Sequence, residues 1–384
     1  MKLTSDLIYG FATSLLSERY DNPKPTPQFH RELWDYCCSD HSLVAIAAPR
    51  GHAKSTAVTH AYTLAAVLFR QADFVVLVSD TELQAVQFLN DIKMELYENQ
   101  KLRGLFKIAD IYKDAEREIR FKMGSDNHQV RIMARGASGG SGSVRGFKWR
   151  GKRPNLIICD DMENDEAVSN EERRDKFRNW FYGALIPALS DTGQIRLVGT
   201  VLHFDSLLER LMPETTGDEA QYTVKEKLKE YSLDKKRAWH SIKYRAHTDF
   251  DDFQDILWPE KFDEKRLSKL KNDFIKQGIS EGYAQEYLNY PIHEGDAFFR
   301  KNDFVPMSED DYELSKVYYA AIDFAISEKD KRSYSVITIG GVDQSGVLHI
   351  VDVIRQRMDA KQIIDEMMAV QIRYQPDLFV VEEG

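Results

Sequence analysis

A glycine-containing loop with a lysine and a serine lies near the start of the chain. Residues 47–56 read AAPRGHAKST, after an apolar run and before a stretch with helical periodicity. Backbone N–H groups at a helix start bind phosphates, a lysine reaches the terminal phosphates, and a serine hydroxyl can hold Mg²⁺. We therefore predict an ATP site, against the alternative of a capped helix with a solvent-facing lysine. The predicted nucleotide contacts in this segment are Arg50, Gly51, His52, Ala53, Lys54, Ser55 and Thr56.

Compared with the phosphate-loop pattern G-x-x-x-x-G-K-[ST], the match is degenerate. Ala48 and Ala53 stand at the two glycine positions, whereas Lys54 and Ser55 are in register. Gly51 keeps one flexible position within the loop.

Two adjacent acidic residues follow a second apolar run, LIICDD at 156–161. Ligands in open α/β sheets bind at the carboxyl ends of the strands, where both carboxylates would lie. We predict that Asp160 holds Mg²⁺ through water and that Asp161 orients the hydrolytic water, with Glu163 as the alternative for the second role. A polar strand end without function is the other interpretation.

Two weaker signals accompany these residues. Thr200 ends a further strand-like run and could sense the γ-phosphate. Gln28, in a proline-rich segment before the first strand, could pair with the adenine edge or be a surface glutamine.

A stretch rich in glycine and cations, residues 135–153, precedes the acidic strand. It could reach a neighbour's phosphates as an arginine finger does, track a DNA backbone, or be a solvated loop.

Short apolar runs typical of buried parallel strands must position these residues. They cover 43–48, 74–79, 130–134, 156–160 and 195–199, with helical periodicity over 54–71 and 81–105. The sequence thus predicts a mainly parallel α/β core. Residues 205–296 are polar and rich in Lys and Glu, and we expect a smaller helical subdomain there.

A second α/β region follows residue 304. Strand-like runs at 317–323, 334–340 and 347–353, the last two predicted to form a hairpin, precede a helix over 358–374 and a strand at 378–382. Because the chain ends on a strand, we expect this domain to be incomplete.

Composition limits the class of protein. With 384 residues the chain is expected to hold two or three domains, and its net charge of -10 confines any DNA contact to a local surface. Three cysteines suit a reducing cytosol, and no apolar run approaches the roughly 20 residues that span a bilayer. We expect a cytoplasmic protein that does not contact membranes.

In combination, these motifs resemble the large subunit of tailed-bacteriophage terminases. APRGHAKST is similar to the family's phosphate loop, and LWPE at 257–260 with YAQEYLN at 283–289 resembles its linker region. The resemblance implies a P-loop ATPase of the additional-strand, catalytic-glutamate type (1–204), a helical linker (205–305) and part of an RNase H-like nuclease (306–384). Lys54, Ser55, Asp160, Asp161 and Thr200 match its site positions.

Two positions depart from the family pattern: Ala53 replaces a glycine, and Asp161 replaces the longer glutamate. Arg145 resembles the loop arginine that reaches the ATP of an adjacent subunit, although action within one subunit stays open.

The nuclease resemblance places the first and fourth strands of the last domain side by side. Asp323 and Glu382, which end those strands, would then share two Mg²⁺ or Mn²⁺ ions. A third acid of the family would lie beyond residue 384, so we expect this polypeptide to cleave DNA weakly or not at all.

The resulting hypothesis is an ATP-driven translocase that packages double-stranded viral DNA into a procapsid. The resemblance implies portal protein, the small terminase subunit and a homo-oligomeric ring as partners. The alternatives are a helicase or repair-type P-loop translocase and an assembly module that binds ATP without hydrolysing it.

Overall fold

The computed structural model describes residues 2–16, 24–137, 146–212, 225–227, 239–291, 305–323, 335–356 and 358–381. They form two compact units, Met1–Phe298 and Phe299–Gly384. Within these ranges no helix combines the length and the apolar character that a bilayer crossing requires.

A nine-stranded sheet organises the first unit, in the order β3-β4-β5-β2-β6-β7-β1-β9-β8. The six strands from β5 to β9 in that order run parallel, and antiparallel pairs close both edges. The strands are β1 Leu43–Ala47, β2 Phe74–Ser79, β3 Asp110–Ala115, β4 Glu118–Met123, β5 His128–Gly136, β6 Leu156–Asp160, β7 Gln194–Gly199, β8 Lys225–Lys227 and β9 Trp239–Tyr244.

Helices cover both faces of this sheet. In β1, Val44 and Ile46 belong to one apolar core and Leu43 and Ala45 to the other, so the strand is buried on both sides. The helices are α1 Ser5–Phe11, α2 Gln28–Cys38, α3 Thr63–Leu68, α4 Glu82–Glu98, α5 Gln100–Phe106, α6 Asp165–Val168, α7 Glu171–Trp180, α8 Ile186–Ala188, α9 Leu207–Arg210, α10 Glu264–Lys276 and α11 Ser280–Leu288. Three π-helical segments adjoin them, Ala12–Leu16, Thr56–Tyr62 and Phe181–Leu185.

The second unit contains a four-stranded sheet in the order β12-β11-β10-β13. Its elements are α12 Glu309–Glu313, β10 Lys316–Asp323, β11 Ser335–Asp343, β12 Leu348–Gln356, α13 Ala360–Tyr374 and β13 Leu378–Val381. Val370 of α13 packs against Ile322 and Ile337 in the core. The predicted hairpin is confirmed, and the first and fourth strands, β10 and β13, pair in parallel as expected.

All five strands predicted in the first 210 residues are confirmed. The expectation of helical structure after residue 205 missed β9, which pairs in parallel with β1 in the central sheet. The β3–β4 hairpin was also missed, because its strand β3 is almost entirely exposed and lacks an apolar run. The single helix expected over 81–105 is interrupted at Asn99, whose side chain caps α5.

Candidate active site

The loop of residues 48–53 leads from the end of β1 into a helical segment that begins at Lys54. Ala48 N–H donates to the Gly199 carbonyl over 2.9 Å, which ties the loop to the end of β7. Gly51 and Ala53 adopt positive φ angles of 74° and 55°. The chain turns back at these two positions and presents the helix N-terminus, where unpaired N–H groups favour an anion.

Lys54 joins the ends of three strands. Its Nζ donates to Thr200 Oγ1 over 2.8 Å and lies 3.2 Å from Asp161 Oδ2. The side chain is only 8% exposed, so little solvent screens these contacts. The carboxyl-edge rule thus correctly placed the loop after β1, the acid after β6 and the threonine after β7 at one site.

Asp160 is fully buried at the end of β6 and accepts hydrogen bonds from two hydroxyls of the following helical segment. Ser55 Oγ donates to Oδ1 over 3.1 Å, and Thr59 Oγ1 donates to Oδ2. Burial, and then the neighbouring Asp161 carboxylate, raise the pKa of Asp160 to about 7. A carboxylate and hydroxyls are the hard oxygen donors that suit Mg²⁺, so Ser55 and Asp160 fit the predicted metal position.

Thr59 is a site residue that the sequence reasoning missed. It lies one helical turn after Ser55, and residues four apart share a helix face. That spacing is the signal that could have identified it.

Asp161 combines an unusual backbone with an accessible carboxylate. Its φ is +42°, its N–H donates to the Val198 carbonyl over 3.0 Å, and its carbonyl accepts from Asp80 N–H. Oδ1 accepts from Thr200 N–H over 3.1 Å, while the side chain remains 35% exposed. The carboxylate therefore contacts Lys54 and still reaches solvent, as a residue that orients water must.

Glu163, the alternative for that role, is engaged elsewhere. Its two carboxylate oxygens accept from the N–H groups of Leu207 and Leu208 at 2.8 and 3.0 Å, at the start of α9. Burial raises the pKa of this carboxyl despite the two backbone hydrogen bonds. The structure brings Asp161, and not Glu163, to the Lys54 amine.

Residues from the region after 240 hold the 48–53 loop from outside. Arg50 Nη1 donates to Glu286 Oε1 over 2.7 Å, and Lys261 Nζ donates to the Gly51 carbonyl over 2.7 Å. The His52 ring stacks on Phe262 with centroids 4.5 Å apart. No local sequence pattern indicated these contacts.

The inner side of the loop packs on helix α2. His30 Nε2 lies 2.8 Å from the His52 carbonyl oxygen, and both rings are buried. Burial lowers the pKa of His30 to about 4 and that of His52 to about 3. The two imidazoles are therefore neutral at pH 7.

The remaining predicted residues are dispersed. Gln28 is the exposed first residue of α2, and Thr56 begins the π-helical segment after Ser55. Asp323 is the exposed last residue of β10 in the second unit. Arg145 and Glu382 lie outside the described residues.

Comparisons with known proteins return solved structures only. No family model matches the sequence, and no curated protein matches it. The chain is similar to the large terminase of the thermophilic bacteriophage D6E, with 12% identity, a TM-score of 0.43 and coverage of 94% of this chain and 78% of that one.

Two further structures are similar to the chain. The bacteriophage HK97 large terminase shares 15% identity with a TM-score of 0.48, over all of this chain and 74% of that one. The ATPase domain of a Thermus phage large terminase shares 14% identity with a TM-score of 0.45, over 70% of this chain and 95% of that one. The solved structures similar to this chain thus include large terminases from several bacteriophages.

Proposed function

We propose that this chain hydrolyses ATP at the site formed by Lys54, Ser55, Asp160, Asp161 and Thr200. The observation that carries the proposal is the position of the Lys54 amine, within 3.2 Å of both the Asp161 carboxylate and the Thr200 hydroxyl. A lysine at a helix N-terminus beside strand-end carboxylates is an arrangement with which P-loop enzymes bind the β- and γ-phosphates and Mg²⁺.

Each residue has a distinct role in this proposal. The N–H groups after the 48–53 loop and the Lys54 amine bind the β- and γ-phosphates. Ser55 and Asp160 hold Mg²⁺, which when bound neutralises charge that develops on the phosphates. Asp161 accepts a hydrogen bond from the attacking water and orients it, and Thr200 links the site to β7.

We further propose that the enzyme is the large subunit of a viral DNA-packaging terminase. The supporting observations are the loop string APRGHAKST, the strand-end acids and the contacts that residues 258–286 make with the loop. In this proposal residues 1–204 are the P-loop ATPase core and 205–305 the linker. The chain acts on double-stranded DNA with portal protein and the small subunit, in a ring in which Arg145 completes a neighbour's site.

The last segment, 306–384, would supply part of an RNase H-like nuclease. The parallel pairing of β10 and β13 supports this proposal, because it sets the strand that ends at Asp323 beside the one that precedes Glu382. Acids at two such strand ends can share Mg²⁺ or Mn²⁺ ions.

Steady-state ATPase measurements with and without duplex DNA test the hydrolysis proposal. Lys54→Ala should lower turnover by about 100-fold or more, since it removes a charged donor to the transferred phosphate. Lys93→Ala is the matched control, because Lys93 is also a buried lysine paired with an aspartate, Asp114, away from the site. Equal turnover by wild type and Lys54→Ala would overturn the proposal, and tight ATP binding by the wild type without phosphate release would favour a non-hydrolysing module.

A further inference from the structure

A cleft of about 1070 Å³ opens at the amino-terminal ends of the parallel strands in the central sheet. Its wall includes Asp73 and Phe74 at the start of β2, His128 at the start of β5 and Asn155 before β6. The ATP site lies at the other ends of these parallel strands. Since β2 spans six residues, the two sites are separated by roughly 20 Å of strand.

A tight turn forms one lip of this cleft. Trp149 and Lys152 exchange two backbone hydrogen bonds of 2.9 and 3.0 Å, and the residues between them, Arg150 and Gly151, have φ angles of 52° and 78°. Two successive positive φ angles define a type I′ turn. The Trp149 ring packs edge-on against Phe74 with centroids 6.0 Å apart, which fixes the turn to the sheet.

Positive charge is concentrated on this lip. Arg150, Lys152 and Arg153 all line the cleft. Arg153 donates to the Pro187 carbonyl, whereas neither Arg150 nor Lys152 forms an ion pair with any carboxylate in the described part of the chain. These two cations have no carboxylate partner in the described chain, and their exposed side chains are accessible to an anion.

Two acidic side chains, Asp73 and Asp191, also line the cleft. The Asp73 carboxylate already accepts from Asn155 Nδ2 over 2.8 Å. Asp191 is exposed and, among the described residues, has no cationic partner. The lining therefore carries an excess of positive charge that Asp191 weakens.

The rest of the wall is polar. Phe74 and Trp149 are the only apolar side chains among the lining residues, and two side-chain atoms, His128 Nε2 and Ser190 Oγ, are buried without hydrogen-bond partners in the described chain. Sites for small molecules are usually enclosed and mainly apolar. An open, polar, cationic cleft instead suits a hydrated polyanion.

We propose that this cleft binds the phosphodiester backbone of duplex DNA, with Arg150 and Lys152 as the phosphate contacts. The choice of DNA rests on the proposed function, because an ATP-driven DNA translocase must bind DNA at a surface separate from its ATP site. Contacts of this kind are electrostatic and independent of base sequence, and they release counterions when they form.

The experiment measures the affinity of the wild type and of each variant for random-sequence duplex DNA at salt concentrations between roughly 50 and 200 mM. In the double variant Arg150→Ala/Lys152→Ala, binding should weaken and the salt slope should decrease by about 2, one for each phosphate contact. Asp191→Asn should tighten binding at the same salt. The double variant Lys269→Ala/Lys276→Ala, which removes two exposed lysines of α10, is the charge-matched control and should bind as the wild type does.

Unchanged affinity and slope in the Arg150→Ala/Lys152→Ala protein would overturn the proposal, as would an equal loss in the α10 control. ATP hydrolysis without DNA, measured on the same proteins, should be unaffected. A wild type that binds DNA through this cleft but releases no phosphate would contradict the proposed function alone.

Discussion

The amine of Lys54 lies 3.2 Å from the Asp161 carboxylate, in the site where we propose that the terminal phosphate of ATP binds. Without nucleotide the buried Lys54 amine pairs with a carboxylate that still reaches solvent. Because a triphosphate carries more negative charge than one carboxylate, we expect ATP to draw the amine away from Asp161. The carboxylate would then be released to orient water at the moment when substrate is present.

Asp161→Asn should lower turnover strongly without weakening nucleotide binding. The amide keeps an oxygen for Thr200 N–H but loses the charge that orients water and pairs with Lys54. We expect turnover to fall about 100-fold or more, with unchanged or tighter ATP affinity by calorimetry. Loss of binding together with turnover would contradict this separation of roles.

Glu163→Ala should act on stability. Its carboxylate accepts from two backbone N–H groups at the start of α9, and their loss should cost about 1–3 kcal/mol. Urea unfolding measures the loss, and turnover of the folded fraction should stay within a few-fold of wild type. A normal unfolding free energy with absent turnover would instead return Glu163 to the water-orienting role.

Asp160→Asn should stabilise the protein and weaken its response to magnesium nucleotide. The wild-type carboxylate is fully buried next to Asp161, so a neutral side chain of the same shape removes a desolvation cost. Thermal unfolding should show a higher Tm for the variant alone and a much smaller rise on adding Mg²⁺ and ATP. Wild type in EDTA is the control, and an equal rise in both proteins with Mg²⁺ would exclude Asp160 as a metal ligand.

Gly51→Ala and Ala53→Gly should have opposite effects. A Cβ at Gly51 would lie 3.0 Å from Phe262 Cζ and would adopt a φ of +74°, which costs roughly 1–2 kcal/mol for a residue with a side chain. Ala53 already adopts a positive φ of 55°, so replacing it by glycine relieves backbone strain. Glycine also gives the unfolded chain more conformational entropy, so we expect a net stabilisation of at most about 1 kcal/mol. Chemical denaturation measures the change in the free energy of unfolding for both variants. Stabilisation by Gly51→Ala would contradict the proposed backbone strain.

The buried histidines predict a loss of stability in mild acid. The pKa values of His30 and His52 are about 4 and about 3 in the folded chain, below the ordinary value of 6.5. The unfolded chain therefore binds more protons as the pH falls below 6.5, and folding loses up to about 1.4 kcal/mol per pH unit for each histidine. This contribution is fully present above pH 6.5 and is lost progressively towards pH 4 and 3.

The matched variant for this prediction is His30→Gln, which retains a donor for the His52 carbonyl but does not titrate. Unfolding free energies between pH 7 and 5 should fall less steeply in the variant than in the wild type. Carboxylate titration is common to both proteins and drops out of the comparison. Parallel curves would show that His30 is not held neutral by burial.

Local periodicity was sufficient for the strands that carry the site. The apolar runs before Ala48, Asp160 and Thr200 correspond to β1, β6 and β7, and parallel strands bring their carboxyl ends to one edge. By contrast, β9 was not predicted, because this short, mostly buried strand lies within a polar stretch of the sequence. Thr59, as the second hydroxyl donor to Asp160, depends on a spacing that acquires meaning only once the helix direction is known.

The sequence by itself determined which residue types could bind a triphosphate and at which strand ends they lie, because strand pattern and loop composition are local properties. Only the tertiary structure decided that Asp161 contacts Lys54 while Glu163 binds the start of α9, and that Phe262, Lys261 and Glu286 hold the 48–53 loop. These contacts join segments far apart in the chain. Their geometry follows from how the packed elements meet, which neighbouring residues in the sequence do not encode.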